Sequence, residues 1–350
     1  MPWKLPRSLS KISMACTTLI GVVFLIFILF QLLGDPAKMV AGQTSNKTSL
    51  AQIRKDMNLD KPVWKRFLYY INDLSPVSVY TKENIEKKEI RAWVVVRGEK
   101  NIVIKWPHLG RSYQTKQRVG GMLFEALIGT IILAFFAMGF AVIVGIPMGI
   151  LAAVKKGSVL DQGIQFLGIL GTSAPSFFVA LLVAYFGGIV LRSYTGLNFN
   201  GSLFEINPID GERTMVLKNI ILPAFTLGLR PLAMVAQMTR AAILDVLGQD
   251  FIRTARAKGV VKYRILYVHA LRNALNPVLT GISGWGAELL AGAYFVEFVF
   301  GWQGLGKLTV ESLDKLDWPL LNGAILWSAC IFILAQWVTD WLQGKLDPRI

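Results

Sequence analysis

Residues 126–154 read ALIGTIILAFFAMGFAVIVGIPMGILAAV, a run without a single charged side chain. A helix needs roughly 20 apolar residues to cross the hydrocarbon core of a bilayer, and this stretch is longer. Comparable uncharged runs cover Ile12–Gly34, Gln162–Leu191 and Trp318–Thr339. Asn219–Thr239 contains one charge, Arg230, and Asn273–Val296 contains one, Glu288. These six segments, in a chain of 350 residues that is 53% hydrophobic, predict an all-α polytopic membrane protein with six transmembrane helices.

Charge then orients the spans. The net charge of +15 would suggest a nucleic-acid partner in a soluble chain; membrane topology explains it better here, and no nucleic acid is expected. Lys4, Arg7 and Lys11 precede the first span, which predicts a cytoplasmic N-terminus because Lys and Arg accumulate in cytoplasmic loops. Counting onward places Lys155-Lys156, the basic loop around Gly259 and the tail with Lys345 and Arg349 on the same side. The opposite loops are balanced or acidic, with three Lys/Arg against three acids in Arg192–Lys218 and two against three in Gly301–Asp317. Asp35–Gly120 carries 17 Lys/Arg and still falls outside, since long loops translocate largely regardless of charge. Both termini are thus expected in the cytoplasm. The first apolar run is too long for a typical signal-peptide core and no small-x-small cleavage site follows it, so it reads as an anchor. Cys16 and Cys330 both fall inside spans and read as small apolar residues, not as a disulfide framework.

The long outer segment has structure of its own. Gly34-Asp35-Pro36 halts the first helix. Ser49–Leu59 reads as an exposed helix and Pro62–Leu74 as an interfacial one bearing Trp64, Phe67, Tyr69 and Tyr70. Lys82–Arg91 reads as a charged linker. Trp93–Val96 and Asn101–Ile104 flank Arg97-Gly98-Glu99-Lys100 and predict a β-hairpin with a four-residue loop. A small α/β extracytoplasmic insertion between helices 1 and 2 follows. Pro147, Pro175, Pro223, Pro231 and Pro277 lie in or near spans two to five, either as ordinary kinks or as the lining of a path. Gly145 and Gly149 form a small-xxx-small pair suited to close helix packing.

The chemistry concentrates in one loop. Between Gln249 and Arg272 stand six Lys/Arg and one acid. Phe251, Ala255 and Gly259 recur at helical spacing, Arg253 and Arg256 lie three apart on another face, and Gly259 suits a helix C-terminus. Attraction to anionic membrane lipid would account for the charge; the Ala/Gly pattern points instead to a groove on another protein. Glu288 is a cavity-lining carboxylate, a partner of Arg230, or a residue near the outer interface, because intramembrane acids are costly unless paired or hydrated. Glu297 reads as interfacial. Gly301–Lys307 spells G-x-x-x-x-G-K, but Leu308 stands where the Mg²⁺-binding hydroxyl belongs, so it reads as a glycine-rich turn. His108 and His269 are too far apart to found a metal site, and no catalytic constellation emerges.

In these residues the chain resembles the permease subunits of binding-protein-dependent ABC importers, in the dipeptide/oligopeptide/nickel branch. That superfamily carries E-A-A-x-x-x-G, nine residues, then I-x-L-P in a cytoplasmic loop; here Arg253-Thr254-Ala255, Gly259 and His269-Ala270-Leu271-Arg272 stand at those positions, with Glu, Ile and Pro replaced. Gly34-Asp35-Pro36-Ala37, Leu109-Gly110-Arg111-Ser112, Gly145-Ile146-Pro147, Pro175-Ser176-Phe177, Leu222-Pro223-Ala224, Gly304-Leu305-Gly306 and Leu346-Asp347-Pro348-Arg349 extend the match nearly end to end. The resemblance implies residues 1–34 as a cytoplasmic N-terminus and first helix, 35–120 as the extracytoplasmic segment, and 121–350 as a five-helix permease core with a coupling loop at about 241–272. It implies a second homologous permease, two cytoplasmic ATP-binding subunits and an extracytoplasmic solute-binding protein, in an inner (plasma) membrane. ATP hydrolysis would belong to a partner, with no cofactor in this chain. Asp250, Phe251, Arg253, Thr254, Ala255, Arg256, Ala257, Lys258, Gly259, His269 and Leu271 would couple to the ATPase, and Glu288, Pro175 and Asn276 are candidates for the path taken by peptides or similar small solutes. The rival is a stand-alone secondary carrier or channel, which would more often show an inverted repeat and several intramembrane ionisable groups. A scaffolding membrane protein, with no need of a coupling loop, is the third.

Overall fold

The structure, a computed structural model, describes residues 7–32, 37, 51, 54–55, 59–88, 90, 92–98, 100–206 and 210–346. The expected turn at Gly34-Asp35-Pro36, most of the helix expected over Ser49–Leu59, Glu99 of the hairpin loop, and Asp347-Pro348-Arg349 lie outside them. The chain divides into two compact units, Met1–Glu125 with Leu308–Ala329, and Ala126–Lys307 with Cys330–Ile350.

In the first unit, helix α1 (Arg7–Leu32) carries the first apolar run. Helix α2 (Val63–Leu74) starts behind Pro62, whose fixed φ of −53° suits a helix entry. The two are joined by rings: Phe27 lies 5.0 Å from Phe67 and 6.1 Å from Tyr70, and Phe24 lies 5.9 Å from Phe67. The predicted hairpin is present as β2 (Ala92–Val96) against β3 (Asn101–Lys105), antiparallel. A further strand, β1 (Val77–Tyr80), pairs with the other edge of β3, giving the order β1-β3-β2. The expected linker at Lys82–Arg91 instead contains helix α3 (Lys82–Lys87). Thr81 caps it by accepting from the Asn84 amide at 3.4 Å, which satisfies one of the donors a helix start leaves open.

Asp73, at the end of α2, gathers this unit. Its carboxylate accepts from Tyr80 Oη at 2.6 Å and from Lys88 Nζ at 2.7 Å, while its carbonyl accepts from Lys105 Nζ at 2.5 Å and the His108 amide at 2.9 Å. Burial holds the Tyr80 phenol well above its usual range, reinforced by the Asp73 carboxylate. Burial also pushes Lys105 down to about 8 and lowers His108. At the far end of the unit, Asp317 accepts from the Ser112 hydroxyl and, at 3.0 Å, from the Tyr113 amide.

The second unit is built of helices. Helices α4 (Val119–Val154) and α12 (Trp318–Leu346) belong in part to each unit. Between them come α5 (Val159–Ser173), α6 (Ser176–Tyr185), a short antiparallel pair β4 (Phe204–Ile206) and β5 (Arg213–Met215), α7 (Ile221–Leu247), α8 (Asp250–Ala257), α9 (Leu271–Gly292) and α10 (Tyr294–Val299), followed by α11 (Leu305–Asp314), which belongs to the first unit from Leu308 on. α4 and α7 cross at the small-residue pair: a side chain at Gly149 would sit 2.5 Å from the Ala236 carbonyl oxygen, and one at Gly145 would meet Val235 and Leu232 at about 3 Å. Pro147, Pro231 and Pro277 stay inside continuous helices.

Among the described residues, four helices are long and apolar enough to cross a membrane, and five if α5 with the Ser176–Val190 helix counts as one bent span. The uncharged run Gln162–Leu191, expected as one span with Pro175 inside it, is carried by two helices meeting at 109°. The cause is Pro175, which lacks an amide hydrogen and forces the residue before it out of the helical region; Ala174 sits at φ −71°, ψ 134°. The segment expected as span five is helical over Leu271–Gly292, and its polar residues keep it outside the set selected by length and composition.

Candidate functional site

The basic loop begins where α7 ends, eight residues beyond the predicted Thr239. α8 is short and strongly two-faced. Ile252 is fully buried, and half-buried Ala255 packs with it against a cluster that includes Ile150, Ile243, Val246, Ile265 and Ala274. Sequence spacing grouped Ala255 with Phe251 and Gly259 on one docking face; Ile252 instead draws Ala255 inward, because i and i+3 share a helix side. The outward residues are Phe251, Arg253, Thr254, Arg256, Ala257 and Lys258. Arg253 Nη1 lies 3.3 Å from Asp250 Oδ1 with both side chains open to solvent, a pair worth little to stability.

Gly259 ends the helix at φ +73°, a conformation that any side chain would strain. The Gly259 amide donates to Arg256 O at 3.0 Å and the Val260 amide to Ala255 O at 3.2 Å. A widened π-helical turn, Ile265–Ala270, then leads into α9. It buries Ile265 and Ala270, leaves His269 and Leu271 half-covered, and sets the Tyr267 ring against that of Tyr263, tilted by 40° with centres 4.5 Å apart, on the exposed side.

A second feature lies at the helix break. Gly171, Ala174 and Ser176 face Thr226, Arg230, Trp285 and Glu288 around a small cavity of about 60 Å³. Glu288 has no ion-pair partner among the described residues; Arg230 instead lies over the Trp285 ring, 5.9 Å from its centre. The alternative in which Glu288 pairs with Arg230 is therefore not the arrangement found. Pro175 does not line the cavity itself; it sets the bend that brings its neighbours there. Asn276 is absent from the lining and stands twelve residues before Glu288 on α9, about 18 Å along the axis.

Two polar arrangements escaped the sequence reading. Arg240 Nε and Nη2 grip Asp161 at 2.6 and 2.9 Å, tying α5 to α7, and Asp161 also accepts from the Gly157 amide and from Gln165. The signal was available: Ser158 and Asp161 have helix-start spacing, and Arg240 is one charge in an apolar region. Glu297, read as interfacial, is fully buried. Its Oε2 accepts from the Gly306 amide at 2.7 Å and the Lys307 amide at 3.3 Å. A side chain at Gly304 would collide with that carboxyl group, and one at Gly306 would run first into the Tyr294 backbone and then into the same group. The G-x-x-x-x-G-K stretch thus closes on a carboxyl group supplied by the chain itself.

A polytopic helical membrane protein with an exposed basic helix, its inner face locked into the bundle, is the class this geometry defines. Two family profiles match the chain: binding-protein-dependent transport system inner membrane component over residues 145–350, and the N-terminal part of the binding-protein-dependent transport system membrane component over residues 7–134. The dipeptide transport system permease protein DppB of Escherichia coli (strain K12) is 33% identical, over 98% of this chain and 97% of its own. The di/tripeptide transport system permease protein DppB of Pseudomonas aeruginosa is 32% identical, over 97% of each. Among solved structures, the methionine ABC transporter MetNI in an inward-facing conformation matches with a TM-score of 0.52 at 17% identity, covering 65% of this chain and 97% of that one; it shares the fold. The chain belongs to the binding-protein-dependent permease family, in its dipeptide/oligopeptide branch. It is a membrane transport subunit and not itself an enzyme.

Proposed function

We propose that this chain forms half of the translocation path of an ATP-driven importer for peptides or similar small solutes, in the inner (plasma) membrane. It works with a second homologous permease, two cytoplasmic ATP-binding subunits and an extracytoplasmic solute-binding protein. The observation that carries this is the two-faced α8: Ile252 is anchored in the bundle while Phe251, Thr254, Arg256 and Lys258 are offered to a partner. A helix fixed on one side and gripped on the other passes a partner's movement to α7 and α9, the two-state element that coupling requires. Asp250–Gly259, with His269 and Leu271 bracing the return, is the coupling segment, within a loop of about residues 241–272.

On this reading residues 1–34 hold the cytoplasmic N-terminus and first span, 35–120 an extracytoplasmic α/β insertion built on β1–β3, and 121–350 the five-helix permease core. α9 is the fifth crossing and completes the six. Its polar residues, Asn273, Asn276 and Glu288, suit an environment of neighbouring helices or a wet path better than lipid. Both termini are cytoplasmic. Glu288 and the bend at Pro175 line the path, with Asn276 further along the same helix.

The test is co-purification with the ATP-binding subunit. Arg253→Glu with Arg256→Glu should abolish that association while membrane insertion and thermal unfolding stay at wild-type values. A chain that never brings down an ATPase, and transports without one, would turn the reading to a stand-alone carrier.

A further inference from the structure

The first unit holds a cavity of about 420 Å³, within the roughly 300–1,000 Å³ range of small-molecule sites, that neither the coupling segment nor the helix break uses. Its wall is made by the ends of two candidate spans, with Phe27 and Gln31 from α1 and Trp318 and Asn322 from α12. α2 closes it with Arg66 and Tyr70. One donor group there lacks an acceptor, and a second has donors to spare. Gln31 Nε2 is wholly buried and has no hydrogen-bond partner, while Gln31 Oε1 accepts from Arg66 Nη2 at 2.6 Å. Arg66 makes no ion pair among the described residues, and a guanidinium carries five donors in a fork that matches phosphate. Lys88, also in the wall, is by contrast matched by Asp73 at 2.7 Å.

The spare donors of the Arg66 guanidinium call for an anion, and the aromatic wall calls for an apolar body attached to it. The position narrows the choice, because span ends lie at the depth of phospholipid headgroups. α2 carries the marks of that depth: exposed Trp64 and Tyr69, with Lys65 5.3 Å and Lys61 4.6 Å from their ring centres. We propose that this cavity binds the phosphate of a membrane phospholipid, Arg66, held in place by Gln31 Oε1, donating to its oxygens and Phe27, Tyr70 and Trp318 covering the glycerol and first methylenes. The inference rests on α1 and α12 crossing the membrane and not on the coupling segment.

Native mass spectrometry of the full chain in mild detergent reads the outcome, with phosphatidylglycerol, phosphatidylcholine and sn-glycerol 3-phosphate offered separately. The wild-type chain should retain one phospholipid, and Arg66→Ala or Gln31→Leu should weaken retention at least about tenfold. Asn322→Trp fills the cavity from the opposite wall, leaves Arg66 and Gln31 intact, and should weaken it equally if that chain unfolds at the wild-type temperature. Wild-type retention in all three variants overturns the proposal. So does binding of glycerol phosphate with no phospholipid retained, which assigns the cavity to a soluble anion. Alkaline carbonate separates the two levels: a chain it extracts fails the membrane reading, whereas an inserted chain without bound lipid fails this proposal alone.

Discussion

Lys105 keeps an ammonium among main-chain oxygens, 2.5 Å from Asp73 O and 3.1 Å from Ser75 O. Burial lowers it to about 8, so from there to its ordinary value near 10.5 the unfolded chain binds a proton that the folded chain has released. Stability must then rise with pH across that window. His108 has the same sign at lower pH: burial disfavours its charged form, so acidification below its ordinary 6.5 loads the unfolded state first and destabilises the fold. Thermal unfolding of the detergent-solubilised chain should therefore shift upward between pH 8 and 10, and Lys105→Met should flatten that slope. Ile252 and Phe251 make a sharper pair. Ile252→Ala removes a fully buried side chain and should destabilise by about 2–5 kcal/mol. Phe251→Ala, on the exposed side, should stay within about 0.5 kcal/mol in the same melt and yet weaken retention of the ATP-binding subunit.

At the scale of the element, Pro175 decides most. Pro175→Ala frees Ala174 to adopt helical angles, and α5 and α6 should then straighten toward one rod. Spin labels at Leu160 and Tyr185, both exposed, should report a longer separation than the 109° bend permits, and an unchanged distance would show that packing alone holds the bend. The apolar runs themselves were legible because an uncharged stretch has few fates other than membrane or core, and the β2–β3 hairpin because two short runs rich in β-branched residues flank a glycine-bearing loop. β1 was not, since four residues after Pro76 carry too little pattern to separate a strand from a loop. The docking segment could be located from charge and glycine spacing, yet its orientation depended on Ile252 finding a cluster drawn from α4, α7 and α9. The grip of Arg240 on Asp161 joins residues 79 apart in the sequence, a pairing that local spacing does not reveal. Asp161→Asn should lower the unfolding temperature, and Asp161→Arg with Arg240→Asp should recover part of the loss.

For the whole molecule, α9 sets the terms of assembly. Asn273, Asn276 and Glu288 are exposed on it, a poor match to hydrocarbon on every side. The chain expressed without its companion permease should accumulate poorly in the membrane, and co-expression should raise both its yield and its unfolding temperature. Equal yield in the two cases would mean that α9 needs no neighbour.

Two glycines on α4 show how unevenly such a bundle tolerates change. Trp302, fully buried, donates to the Gly129 carbonyl at 2.9 Å, and a side chain at Gly129 would run into the Gln303 carbonyl oxygen. Gly139, ten residues along the same helix, has nothing within 4 Å of where its side chain would begin. A library randomised at both codons and selected for growth should return glycine at the first and almost anything small or oily at the second. Drift in this lineage would then be free to wander at one letter of the helix and frozen at another, although the two look alike on the printed chain.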